Sequence, residues 1–249
     1  MLAVVVVSQA TGTALLLAVL PFVPGHITHA ALVYGLLAGA CGGIGIALLY
    51  HALSIGKMGV VSPITAVLAA SLPVFVGIAR GDRLSVWQIV GIVAALVAVV
   101  LISLSTEADG RIEFSTAGAR EAVASGLVLG GFYIFLALAG KGSGLYPIAF
   151  SRVGSLSLLL LVALASRRTI IPAASTLPIV VLGGIIDMSA NVLYVLAAYA
   201  GYLSIAAVLT SLYPASTVFL ARFMLGERLS NMQKFGVGLA LAGVALIAR

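Results

Sequence analysis

Apolar runs about as long as a lipid bilayer is thick follow one another along almost the whole of this 249-residue chain. A bilayer core is about 30 Å deep, so a helix rising about 1.5 Å per residue needs about 20 apolar residues to cross it. Runs of that length cover residues 2–20, 30–53, 60–79, 85–104, 121–139, 146–165, 177–199, 203–222 and 231–248. Turn-forming or charged residues punctuate them, among them Pro21, Pro24 and Gly25, Gly81-Asp82-Arg83, Lys141-Gly142 and Gly226-Glu227-Arg228. A soluble fold of this size needs a polar shell, and 8% charged residues against 62% hydrophobic ones cannot supply it. A transmembrane β-barrel needs strands that alternate apolar and polar, whereas Val93–Leu104 runs apolar without alternation. The expected class is all-α, a polytopic transmembrane helix bundle with the lipid bilayer as its solvent. The basic residues are scattered through short loops and form no stripe for nucleic acid.

The chain repeats itself. Gly81-Asp82-Arg83-Leu84-Ser85-Val86-Trp87-Gln88 returns as Gly226-Glu227-Arg228-Leu229-Ser230-Asn231-Met232-Gln233, an offset of 226 − 81 = 145. Continued to Ile102 against Ile247, this register gives 11 identities in 22 positions. Leu49-Tyr50 aligns with Leu193-Tyr194 at offset 144, and Ser8-Gln9 with Ser151-Arg152 at offset 143. Each equivalent pair of helices is five spans apart, an odd number, so the two members cross the membrane in opposite directions. Inverted repeats of this kind build many secondary transporters, which rock around a site near the midplane. The expected organisation is a first repeat at 1–105, a linker at 106–120 and a second repeat at 121–249. The second repeat has a helix (121–139) ahead of Ser151-Arg152, and the first has no counterpart ahead of Ser8-Gln9. Nine helices are therefore expected here, four plus five, the first of an expected ten missing: either it is encoded upstream of Met1, the favoured reading, or the protein lacks that half-unit.

Paired Gly-Asp/Glu-Arg-Leu-Ser motifs, each after a proline-containing helix and before a Gln-x-x-Gly helix, resemble the EamA-type transporters of the drug/metabolite transporter superfamily. Leu212-Tyr213-Pro214 through Ser230 is similar to that pattern, as is Pro147-Ile148-Ala149-Phe150-Ser151-Arg152 at the start of a helix. The resemblance covers essentially the whole chain. It implies a ten-helix carrier of small metabolites, commonly an exporter, with both termini cytoplasmic. Basic residues are more numerous on the side of residue 1, which by the positive-inside rule places the C-terminus outside. Charge and resemblance thus point to opposite orientations.

Asp187 is the most informative residue. It falls in the middle of a span, where an ionised carboxylate is costly unless it has a partner, water or a proton. Asn191 and Tyr194 follow at i+4 and i+7 and share its helical face. Two readings stand side by side: a solute-binding or proton-coupling face, or a packed and paired carboxylate with Asn191 as interhelical glue. Arg152 opens the sixth span and is expected either to snorkel to the interface or to reach inward, as an anion anchor or as a partner for Asp187. Tyr133 and Tyr213 lie deep in their spans and are candidates for lining a cavity, or for simple packing. Pro63, Pro73 and Pro214 fall inside spans; each removes a backbone hydrogen bond, which makes them candidate hinges or kinks that merely fit their neighbours. In the Gly-Asp-Arg and Gly-Glu-Arg loops a structural role is expected: glycine ends one helix, the acid suits the dipole of the next, and Leu-Ser starts it.

Cys41 is the single cysteine, so no intrachain disulfide and no cysteine-rich metal site is expected. No HExxH, P-loop or Gly-x-Ser-x-Gly motif occurs, and neither a metal, a cofactor nor an enzymatic activity is expected. With no ATP site, energy has to come from gradients. The expected function is a secondary transporter of a small metabolite, working by alternating access in the cell (plasma or inner) membrane, with export and proton coupling as its finer form. The rivals are a flippase for a lipid-linked substrate and an inactive or scaffolding membrane fragment. The oligomeric state is not legible in the sequence.

Overall fold

The computed structural model describes residues 2–56, 58–103, 117–166, 175–212 and 230–247. All regular structure among them is helical: α1 (Leu2–Val19), α2 (His29–Ile55), α3 (Met58–Ala79), α4 (Val86–Ser103), α5 (Ala119–Leu138), α6 (Tyr146–Ser166), α7 (Leu177–Ala200), α8 (Leu203–Ser211) and α9 (Asn231–Ile247). Short 3-10 turns at Leu20–Phe22 and Lys141–Ser143 accompany them. Every helix starts within a few residues of an apolar run read from the sequence. The remainder of the 203–222 run lies outside the described residues, and with it Tyr213 and Pro214, as does most of the expected linker.

Among the described residues, five stretches are long and apolar enough to cross a membrane: Val4–Phe22, His29–Ile55, Val60–Ala79, Ala119–Leu138 and Leu177–Ala200. Side chains such as Ile179, Phe75 and Leu241 point outward with 74%, 69% and 67% of their surface bare. A surface this apolar is solvated by lipid.

The helices form two compact units that cut across the sequence halves. The first comprises residues 1–43 and 132–200, thus α1, α6, α7 and the adjoining parts of α2 and α5. The second comprises residues 44–131 and 201–249, thus α3, α4, α8, α9 and the rest of α2 and α5. Each unit draws on both repeats.

In the second unit α4 and α9 meet along a seam of small residues. Gly91, Ala95 and Ala98 on α4 are buried, as are Gly236, Ala240 and Gly243 on α9. The two sets share the spacing i, i+4, i+7 and are related by the repeat offset of 145. A Cβ on Gly91 would lie 2.8 Å from Cγ1 of Ile247, and one on Gly236 would lie 2.8 Å from Cγ1 of Ile102. Residue 91 thus meets 247 while 102 meets 236, so the paired helices run antiparallel and exchange equivalent contacts. That is the inverted relation the sequence repeat requires. Small residues allow it: lipid gives apolar helices no hydrophobic drive to associate, and close backbone approach supplies van der Waals contact in its place.

The first unit has its own matched crossings. A Cβ on Gly39 of α2 would collide with the carbonyl oxygen of Ser151 on α6, and one on Gly184 of α7 with that of Ser8 on α1. Ser8 and Ser151 are the pair aligned by sequence. Gly39 and Gly184 differ by 145, one more than the 144 read from Leu49-Tyr50, so the spatial equivalence slips by a residue along this helix.

The repeated loops also have a physical account. Gly81 has φ 104°, and the Asp82 N–H donates to the Gly77 carbonyl while the Gly81 N–H donates to that of Ile78, a Schellman ending for α3. Ser85 and Gln88 then form a reciprocal capping box, with the Gln88 N–H donating to Ser85 Oγ at 3.2 Å and the Ser85 N–H to Gln88 Oε1 at 2.9 Å. Ser230 and Gln233 repeat it at 3.2 and 3.0 Å. Asp82 differs from expectation: its carboxylate accepts from the backbone N–H (3.0 Å) and hydroxyl (2.7 Å) of Ser204, capping α8 and not α4. The capping box already satisfies the start of α4, leaving the acid for a helix start that has no side-chain cap of its own.

Candidate functional site

The charged residues expected to matter most come together in the first unit. Arg152 stands on α6 one residue after the Ser151 carbonyl that abuts Gly39, and only 10% of its side chain is exposed. The guanidinium reaches α7 and its Nη2 donates to Asp187 Oδ2 at 2.6 Å, a short charge-assisted bond. Of the readings open for Arg152, the structure takes the inward one. Asp187 is the outer member of the pair, with 54% of its side chain exposed. Val180, Gly184, Met188 and Val195 of α7 are buried, and Gly184 and Met188 lie against Gly12 of α1. Asp187 therefore flanks the packed stripe of α7 and does not point into it.

Ser155, which the sequence did not single out, and Gln9, read there only as the repeat partner of Arg152, join this pair. Ser155, one turn beyond Arg152, donates its hydroxyl to Gln9 Oε1 at 2.7 Å, and both are buried. Gln9 is the residue aligned with Arg152 by the repeat, so the two equivalent positions sit at one α1–α6 contact. The signal was available: Ser155 follows Arg152 at i+3 on the same helical face. Arg152 Nε is buried and has no hydrogen-bond partner among the described residues.

The remaining candidates divide. Asn191 Nδ2 donates to the backbone carbonyl of Asp187 at 2.8 Å, one turn back along α7. Tyr194 is buried and its hydroxyl donates to the Tyr133 carbonyl at 2.9 Å. The two rings lie 4.8 Å apart and tilted by 58°, with Phe132 5.2 Å from Tyr133 edge-on. This aromatic group fastens α5 to α7. Pro63 and Pro73 lie inside α3, which runs through both as one helix, and Pro73 is fully buried.

A family model described as the EamA-like transporter family matches residues 117–249, just over half of the chain. The chain belongs to the EamA-like transporter family. It is accordingly an integral membrane protein of a family of membrane transporters. Arg152, Ser155, Asp187, Asn191, Tyr133 and Tyr194 all fall inside the matched stretch, and Gln9 outside it. A solved structure titled only as the crystal structure of a protein superposes on 99% of this chain and 88% of its own, with a TM-score of 0.81 at 17% identity. At that identity the likeness is one of fold. No curated protein matches the sequence.

Proposed function

We propose that this EamA-like protein is a secondary transporter of a small polar or amphipathic metabolite, working by alternating access, with Arg152 and Asp187 at its solute site and Asp187 as the proton-coupling group. The observation that carries the reading is the Arg152–Asp187 pair itself. Two opposite charges among apolar helices balance one another, and separating them leaves a lone carboxylate whose cost a proton relieves. A site that closes the pair in one state and opens it in another therefore takes up and releases a proton as it turns over. α1, which packs beside α7, carries no titratable side chain, and α6 contributes Arg152 and, at its start, Tyr146. Export across the plasma or inner membrane is the direction the resemblance favours.

Uptake of a metabolite panel into proteoliposomes under an imposed pH gradient tests this. Asp187→Asn preserves size and hydrogen bonding, so it is expected to insert normally while losing pH-dependent flux. Well-inserted Asp187→Asn protein whose flux keeps the wild-type pH profile would remove the coupling role.

A further inference from the structure

An arginine presents Nε and Nη2 on one edge, as two parallel donors that match the two oxygens of a carboxylate. In this protein Asp187 uses half of that edge: Oδ2 takes Nη2 at 2.6 Å, and Nε is left buried without a partner. A buried guanidinium donor left open is costly and rare in a settled structure. The Arg152 side chain is nine-tenths buried, which leaves the guanidinium little room to move. The carboxylate in front of it is half exposed. Asp187 is thus the movable partner and Arg152 the fixed one.

We infer that Asp187 is a place-holder on an oxyanion site, and that the solute carries a planar carboxylate that displaces it by taking Nε and Nη2 of Arg152 together. The inference rests on the transport reading for its setting and deepens it by naming the substrate class. A solute carboxylate gains two charge-assisted hydrogen bonds where Asp187 makes one, which gives the exchange its direction. Phosphate also takes an arginine fork through two of its oxygens, but the group that occupies this one is a carboxylate, and that sets the class. A neutral amide offers one acceptor and no charge, and leaves Asp187 in place.

Equilibrium binding of radiolabelled benzoate to the detergent-purified full chain tests the site without membrane, gradient or flux. It can therefore fail while proton-coupled transport stands, and succeed where that fails. With the competing carboxylate neutralised, Asp187→Asn is expected to bind benzoate about tenfold tighter than the wild type. Arg152→Lys keeps the charge but loses the fork, and is expected to bind about tenfold more weakly. Unlabelled acetate should compete, benzamide should not, and inorganic phosphate should compete less well than acetate. Equal affinity in wild type and Asp187→Asn overturns the place-holder, as does an absence of benzoate binding in both. Phosphate competing better than acetate overturns the assignment to carboxylates. Should Arg152→Lys fail to purify as a monodisperse protein, Asp187→Asn and the competition series decide the question without it.

Discussion

At the scale of single residues, the Arg152–Asp187 pair shows how far one sequence can be read. An acid in mid-span and an arginine near the start of another span announce themselves, because apolar surroundings make every charge expensive. Their mutual choice was legible only as one alternative, since a residue number does not say whether a long side chain snorkels outward or turns in. The half-used guanidinium edge was not legible at all, and the aromatic contact of Tyr133 with Tyr194 is a matter of helix rotation that spacing cannot fix. The pairing has an energetic consequence that can be measured. Asp187→Leu strands a buried guanidinium and is expected to destabilise the protein by about 3 kcal/mol in reversible detergent unfolding. Adding Arg152→Met is expected to restore most of that loss while leaving transport dead. A double variant no more stable than Asp187→Leu alone would mean that the ion pair is not the cause.

At the scale of helices, close approach is set by which small residue faces a neighbour. Gly183 and Gly184 are adjacent and chemically identical, yet a Cβ on Gly183 would meet nothing within 4 Å and one on Gly184 would strike the Ser8 backbone. Gly183→Ala is therefore expected to be neutral, whereas Gly184→Ala should cost about 1–3 kcal/mol in the same unfolding measurement. Equal effects would mean that α1 and α7 do not cross here. Helix positions were readable because apolar runs of about 20 residues leave little freedom in lipid. The Leu-Ser helix starts were readable because Ser-x-x-Gln is a local cap. The service of Asp82 to α8 was not, for it joins residues 122 apart. The antiparallel seam between α4 and α9 makes a topological prediction. Val86→Cys and Asn231→Cys, equivalent positions just after the two caps, should react with an impermeant thiol reagent from opposite sides of the membrane in a Cys41→Ser background. Labelling of both from one side is incompatible with inverted repeats.

At the scale of the molecule, the repeat was legible and the compact units were not, because similarity runs along the chain whereas contacts run across it. α1 packs with α7, and α4 with α9, so each unit takes helices from both halves. Residues 1–110 and 111–249 expressed separately are expected to be degraded, and co-expressed to accumulate together; stable accumulation of either fragment alone would contradict the division. The seam between α4 and α9 carries one more implication. A contact in which position i of one partner meets j of the other, and j meets i, is isologous, the kind made by two copies of one polypeptide about a two-fold axis. It is the contact that two oppositely inserted copies of a single ancestral repeat would make as a homodimer. Such a dimer must carry every charged residue twice. Joining the copies into one chain lifts that restriction: the repeat counterpart of Arg152 is Gln9, and that of Asp187 is a glycine, Gly42 or Gly43 according to register. Covalent fusion is what allows a two-fold framework to hold one ion pair instead of two.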